Sequence, residues 1–375
     1  MTRRAPEAPA AEGARRATAA EPPGDGLPLP TSAYDYDLPA DRIARHPEAR
    51  RDRSRLLVLD RATGVLSHRR FHDLADLIRP GDAVILNDTR VRAARLVGRK
   101  PTGAPGEVLL LRPAAPGEGE DADTWLALVR PGGKLKPGRT LEVADDLRVE
   151  VLDGTGDGGR IVRLRTDLPV SEALRRHGGV PLPPYLGREE EPGDRERYQT
   201  VYAARTGSVA APTAGLHFTR RLLARIEDRG AALGRLTLHV GVGTFRPVEE
   251  EDPGRHRMHA EWYEIPAATA DLVASARAEG GAVWAVGTTS VRALEAAADE
   301  RGVPARLSGW TDLFIRPGHA FRSVDRLVTN FHLPRSTLLM LVAAFGGHRA
   351  VMDAYQAAVA AGYRFYSYGD AMAVL

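Results

Sequence analysis

EVLLLR (107–112), TWLALVR (124–130), TLEVADDLRVEVL (140–152) and RIVRLR (160–165), preceded by ARLVG (94–98), read as a succession of short apolar bursts. Turns rich in glycine and proline, Pro131-Gly132-Gly133 and Lys136-Pro137-Gly138, separate them. Short strands at this spacing predict a small antiparallel sheet or barrel. Glu118, Glu120, Asp121 and Asp123 mark a surface loop of this module, and no catalytic constellation falls inside it. On both sides the pattern changes to strands alternating with helices. Strands are expected at 54–60, 83–86, 236–242, 282–286, 326–329 and 363–368. Helices are expected at 41–45, 71–78, 171–177 (capped by Ser171), 220–229, 269–279, 290–300, 336–345 (capped from Ser336) and 350–361. Alternation of this kind indicates an α/β layer structure. The fold class is therefore a larger α/β domain, 31–90 and 167–375, with a small antiparallel β-barrel domain inserted at 91–166.

The remaining composition narrows the function. A chain of 375 residues that is 43% hydrophobic can bury a sizeable core. The formal net charge is only +3, so a nucleic-acid surface must come from local clustering. One such cluster runs from Arg42 to Arg70, with nine arginines against Glu48, Asp52 and Asp60; it is either a solvated face or a contact for a phosphate backbone. There are no cysteines, which excludes disulfides, thiol nucleophiles and thiolate metal sites. Residues 1–30 are rich in Ala, Pro, Glu and Arg without an apolar core, and read as a disordered leader rather than a secretory signal. The longest strongly apolar run, Leu338 to Phe345, is too short to span a bilayer, so a soluble cytoplasmic protein is expected.

Three stretches carry candidate chemistry. YQTVYAARTGSVAAPTAGLHF (198–218) passes through small residues to Gly215 and His217, with Thr213 beside them. Such a run lets a backbone approach a ligand, and Gly215 can take conformations that bulkier residues cannot; a tight turn with one satisfied buried histidine is the structural alternative. VGTTSVR (286–292) reads as a buried strand entering a turn that opens a helix, where amide groups favour a carboxylate or phosphate. Plain N-capping by Ser290 would need no ligand. TNFHLP (329–334) ends another strand, and ligands collect at the carboxyl ends of strands in open α/β sheets. His239, Asn330, His332, Thr244 and Thr288 all fall in or near expected strand ends. His256, His259 and Glu261 are the nearest thing to metal ligands, but no metal signature is present and none is expected. Phe365, Tyr366 and Tyr368 are expected in a core strand, with base stacking as the alternative.

Together, RLLVLD (55–60), LNDTRV (86–91), PLPPYL (181–186), RYQTVYA (197–203), AAPTAGLHF (210–218), LHVGVGTF (238–245), VGTTSVRALE (286–295), TNFHLPRSTLLMLV (329–342) and YRFYSYGDAM (363–372) resemble the S-adenosylmethionine:tRNA ribosyltransferase-isomerase family of queuosine biosynthesis. The resemblance runs from about Tyr34 to Leu375. It implies an α/β domain with an inserted barrel, and S-adenosylmethionine as a consumed co-substrate rather than a cofactor. It also implies transfer of its ribosyl part to 7-aminomethyl-7-deazaguanine at the wobble position of tRNA, with isomerisation to epoxyqueuosine and release of adenine and methionine. On that chemistry His217, His239 and His332 are the candidates for proton transfer. Thr213, Thr244, Thr288, Thr289, Ser290, Arg292 and Asn330 are candidates for holding substrate, and Asp88 and Arg90 for organising the site. A monomer is expected. The chain departs from the family pattern at Ala93, Val242, Arg316 and His319, and in its long leader. Two competing readings are a paralogue acting on a free 7-deazapurine and an RNA-binding module without catalysis. The arginine cluster weighs against the first, and the Thr, His and Asn blocks against the second. A generic methyltransferase would need a glycine-rich GxGxxG fingerprint after its first strand, which is missing.

Overall fold

The structure, a computed structural model, describes residues 29–114, 122–156, 158–241 and 248–375. Nearly all of the leader, Glu118, Glu120 and Asp121 of the acidic loop, and Val242 and Thr244 lie outside the described residues. In chain order the strands are β1 (Arg55–Leu59), β2 (Leu66–Arg70), β3 (Ala83–Asn87), β4 (Thr89–Val91), β5 (Arg95–Arg99), β6 (Pro105–Pro113), β7 (Thr124–Arg130), β8 (Thr140–Ala144), β9 (Leu147–Gly154) and β10 (Arg160–Arg165). They continue with β11 (Arg205–Ser208), β12 (Ala232–Leu238), β13 (Glu261–Glu264), β14 (Val283–Val286), β15 (Ser308–Thr311), β16 (Arg326–Asn330) and β17 (Ala371–Val374).

Nine of them form one sheet in the order β15-β13-β12-β3-β14-β16-β17-β1-β2. Its middle is parallel: β12, β3, β14 and β16 pair in the same direction. Parallel strands are covered on both faces, so they read as apolar runs rather than alternations. In β3, Ala83 and Ile85 enter the core on one face while Val84 and Leu86 enter the core on the other; β14 divides Val283 and Ala285 from Trp284 and Val286 in the same way. Helices cover both faces. Helix Thr337–Gly346 is buried almost all round, and Ser336 caps it by accepting a hydrogen bond from the Leu339 amide at 3.2 Å.

Strands β5 to β10 close into an antiparallel six-stranded barrel, in the order β10-β7-β6-β5-β8-β9. Here the alternation is clean. Val108 and Leu110, Trp125 and Ala127, Val149 and Val151, and Val162 and Leu164 point inward and are fully or almost fully buried. The expected fold class, an α/β domain carrying an inserted antiparallel barrel, is what the chain adopts. The short parallel pair β4–β11 joins the barrel's entrance to the 198–218 stretch.

Several local expectations need correction. The segment 363–368 is not a strand. Tyr366 takes a left-handed conformation (φ 72°), and the chain turns there before β17 begins at Ala371. Strand β12 begins at Ala232 and stops at Leu238, so His239 follows it rather than lying inside. Residues 40–42 make one 3-10 turn in place of a helix. Helix Val170–His177 starts before Ser171, with Pro169 at the capping position. Ser290 does not cap its helix either; Gly287 holds that position, and the Ser290 hydroxyl donates back to the Val286 carbonyl at 2.8 Å.

Candidate active site

The parallel order places the carboxyl ends of β12, β3, β14 and β16 along one edge of the sheet. That edge presents His239, Asn87–Asp88, Gly287–Thr288 and Asn330–His332. Adjacent strands lie about 4.8 Å apart, so His239 and Asn330 stand roughly 14 Å from each other along it. Contacts join the β12, β3 and β14 ends. The Asn87 amide nitrogen donates to the Leu238 carbonyl at 3.0 Å and to Thr289 Oγ1 at 3.1 Å, joining three strand ends. The Asn87 carbonyl oxygen accepts from the amides of Thr89 and Leu238. Thr89 Oγ1 meets His239 Nδ1 at 2.8 Å.

The 213–217 turn lies over the same edge. A Cβ placed on Gly287 would come within 3.7 Å of the Ala214 Cβ. Thr213 lines a small, partly open pocket with Tyr185, Asn330, His332, Tyr366 and Ser367. A second such pocket is lined by Arg51, Ser54, Arg197, His217, Ser367 and Tyr368. Ser367 faces both, and its hydroxyl bonds to the Tyr185 hydroxyl. The left-handed turn at Tyr366 brings this wall into place. Its amide donates to the Phe331 carbonyl at 3.1 Å, and its carbonyl accepts from the Asn330 side chain at 2.9 Å. Backbone strain of this kind persists only where surrounding contacts over-determine it.

Each histidine is oriented by a hydroxyl. His217 Nδ1 meets Ser54 Oγ at 2.7 Å, and its ring stacks on Phe71. His332 Nε2 meets Thr329 Oγ1 at 2.8 Å. His239, held by Thr89, stacks on Trp262. Burial pushes His217 down to about 3, with the charges of Arg364 and Arg51 adding to it and a contact from Asn330 opposing. Burial alone pushes His332 down to about 3. Burial, with Arg92 and Arg205, pushes His239 down to about 4. All three imidazoles are therefore neutral near pH 7. Asp88 moves the other way. Desolvation raises its carboxyl above the usual range, against a 2.7 Å hydrogen bond from Thr237 and the charges of Arg205 and Arg235. The environment thus strengthens Asp88 as a base and weakens the rings. His217 Nε2 and Asn330 Oδ1 are both buried without a well-formed hydrogen bond, and the Asn330 side chain lies close enough to His217 to favour its protonated form.

The other candidates separate. Thr288, Thr289 and Ser290 sit at the β14 end, buried, with Ser290 turned into its own helix. Arg292 is only 3% exposed; its guanidinium bonds to Glu261 and to the carbonyls of Leu313 and Thr311, which makes it a strut. Arg90 is exposed and donates to the Ala203 carbonyl. Gly215 serves by space rather than by conformation, because a Cβ there would come within 2.2 Å of the Tyr202 hydroxyl. Of the arginine cluster, Arg51, Arg55 and Arg61 are half-buried and bonded to backbone carbonyls, whereas Arg45, Arg50, Arg53, Arg69 and Arg70 are exposed. Sequence reasoning missed Ser54, Asn87, Thr89, Thr329, Tyr185 and Ser367. Asn87 and Thr89 could have been found: they flank Asp88 in LNDTRV, and the charged neighbours drew the attention. Ser54, 163 residues from its partner His217, gives no signal in the sequence. Among the described residues no group of three or more His, Cys, Asp or Glu is placed to hold a metal ion. Among them, too, no helix is long and apolar enough to cross a membrane.

Comparison with known proteins agrees with this architecture. The family model described as "Queuosine biosynthesis protein" matches residues 31–374. The S-adenosylmethionine:tRNA ribosyltransferase-isomerase of Symbiobacterium thermophilum is 52% identical over 347 residues, covering 92% of this chain and 99% of that protein. The enzyme of the same name from an Azoarcus species is 53% identical over 346 residues, covering 92% and 97%. A crystal structure of the S-adenosylmethionine tRNA ribosyltransferase of Thermotoga maritima matches with a TM-score of 0.52 and 37% identity, over 92% of this chain and 100% of that one. Matched almost end to end by the family model and by relatives at about half identity, the chain is an enzyme of the queuosine biosynthesis protein family, among the S-adenosylmethionine:tRNA ribosyltransferase-isomerases.

Proposed function

We propose that this enzyme moves the ribosyl part of S-adenosylmethionine to the aminomethyl group of 7-aminomethyl-7-deazaguanine at the wobble position of tRNA. The ribose is isomerised to the epoxycyclopentane of epoxyqueuosine, and adenine and methionine leave. S-Adenosylmethionine is consumed, so it is a substrate. The observation that carries this reading is the convergence of Asp88, His239, Thr288, Asn330 and His332 on one parallel strand edge, with the 213–217 turn laid over it. The positive sulfur acidifies the neighbouring ribose methylene, and a base must take a proton from that carbon. Asp88, made more basic by burial, and the neutral ring of His239 are the groups suited to accept it. Adenine departs more easily when a donor meets its nitrogen. His217 and His332, neutral and each oriented by a hydroxyl, can each donate one N–H there. Thr213, Thr288, Thr289 and Asn330 supply hydroxyl and amide groups for the ribose. Thr244, a candidate for the same role, lies outside the described residues. The exposed arginines 45, 50, 53, 69 and 70 suit a phosphate backbone, and we expect a cytoplasmic monomer.

The test is direct. The protein is mixed with S-adenosylmethionine and tRNA carrying the aminomethyl-deazaguanine; adenine is followed by chromatography and the nucleoside by mass. Adenine release with gain of a whole ribosyl-derived unit is expected. Gain of a methyl group, or no adenine, would overturn the reading.

A further inference from the structure

Two of the four tryptophans are deep in cores: Trp125 is fully buried and Trp284 is 1% exposed. The other two stand side by side. Trp262 of β13 is the register partner of Trp310 of β15, the strand that ends the sheet. Trp310 is 57% exposed. On its inner side Trp262 stacks on His239, with ring centroids 5.4 Å apart and planes 22° apart. On the outer side the exposed Arg112 of the barrel strand β6 lies over the Trp310 ring at 5.9 Å. The result is a continuous stripe, His239–Trp262–Trp310–Arg112, running from the strand-end edge to the barrel. The same face carries the exposed Arg205, paired to Glu264 at 3.4 Å. Among the described residues Glu264 answers Arg205, and Arg112 stands exposed at the outer end of the stripe.

An exposed indole on an edge strand has an ordinary explanation as a surface residue. It does not explain why a second indole continues the surface inward and ends on a candidate catalytic imidazole, nor why the barrel contributes a guanidinium at the outer end. Flat aromatic rings with interleaved arginines suit unpaired bases, whose faces stack without regard to sequence while phosphates meet the cations. A double helix keeps its base faces covered and gains nothing from such a platform.

We propose that Trp262 and Trp310, with Arg112, form a stacking platform for the unpaired bases of a single-stranded RNA loop, delivering the target nucleotide to the His239 end of the site. This rests on the tRNA reading above. Bases flanking the target stack on Trp310 and Trp262, and Arg112 holds a phosphate beside them.

Fluorescence provides the reporter, because the other two tryptophans are buried. Titrating an anticodon stem-loop into the full-length protein is expected to quench emission, and Trp310→Phe to remove most of that quenching. Trp310→Ala is expected to weaken stem-loop binding about ten-fold, as loss of one stacked base does, while Trp310→Tyr stays near the parent. Salt separates the contributions. Arg112→Ala is expected to lower the slope of log K against log salt by about 0.7, and Trp310→Ala to leave it unchanged. A Trp310→Ala protein with parental melting temperature and RNA affinity within about two-fold of the parent would overturn the platform, given the range expected for stacking. So would a parent protein that dimerises through this edge and becomes monomeric in Trp310→Ala. Adenine release by the parent enzyme, measured in parallel, reports on the reaction itself and separates a failed platform from a failed reaction.

Discussion

The barrel and the strand-end edge bury their side chains on opposite principles. Between Arg95 and Arg165, every described buried side chain is apolar, and the charged pairs such as Arg148–Glu142 and Arg165–Glu150 stay at the surface. Along the edge, Asn87, Asp88, Thr89, Thr237, Thr288, Thr289, Thr329 and Asn330 are all buried, and His217 with them. A buried polar group without a partner costs about 1–3 kcal/mol, so this edge is a poor way to build stability. Most of its groups are satisfied by one another, while His217 Nε2 and Asn330 Oδ1 make no well-formed hydrogen bond. The barrel is therefore a device for holding its surface in place, while the edge trades stability for chemistry.

That contrast can be broken by substitution. The largest effect is expected for His217→Ala, which should slow adenine release per folded molecule about 10²–10⁴-fold, the usual range for an acid–base group, on top of the stability lost by emptying a buried site against Phe71 and Ser54. A rate within about ten-fold of the parent would remove His217 from the chemistry. In the barrel, Trp125→Ala should act on stability alone. It should cost about 3–5 kcal/mol of stability in denaturant titration and leave turnover per folded molecule intact. Gly207→Ala should fall between them, because its Cβ would sit 2.4 Å from the His239 ring and displace it. The expected result is a drop in turnover that a smaller ring partner, His239→Ala, makes no worse; additive losses would show that Gly207 acts elsewhere.

The smallest effect is a pH slope. The three rings have folded-state values of about 3 to 4, against 6.5 when unperturbed. Between these limits the unfolded chain binds more protons, so stability is full above 6.5 and declines as pH falls through that window. His217→Asn should flatten the decline in denaturant midpoints measured across it. An unchanged slope would mean that His217 is not buried neutral.

Much of this was legible in the sequence, for identifiable reasons. Strand ends announce themselves when a short apolar run meets polar residues, as at Leu86-Asn87-Asp88 and Thr329-Asn330. The barrel showed itself through period-two alternation between glycine and proline turns. Strand order did not, because nothing local in β3 says that β12 and β14 flank it. Nor did the turn at Tyr366: the alternating aromatics of YRFYSY look like a strand, and contacts from Phe331, Asn330 and Gly369 hold the left-handed backbone. Arg292 drew attention as a cation near a ligand-binding turn. Its partner Glu261, on strand β13, turns it into a strut. Long-range pairing decides whether a polar residue is free to act, and that information is spread over the whole chain.

Substrate is proposed to bind where β14 and β16 end beneath the 213–217 turn, and a crystal structure of the enzyme with S-adenosylmethionine bound is the deciding experiment. Ligand density is expected against Thr213, Thr288, Asn330 and His332, with the sulfur on the side of the edge that carries Asp88. Density in the barrel, or on the β1–β2 side of the sheet, would contradict it.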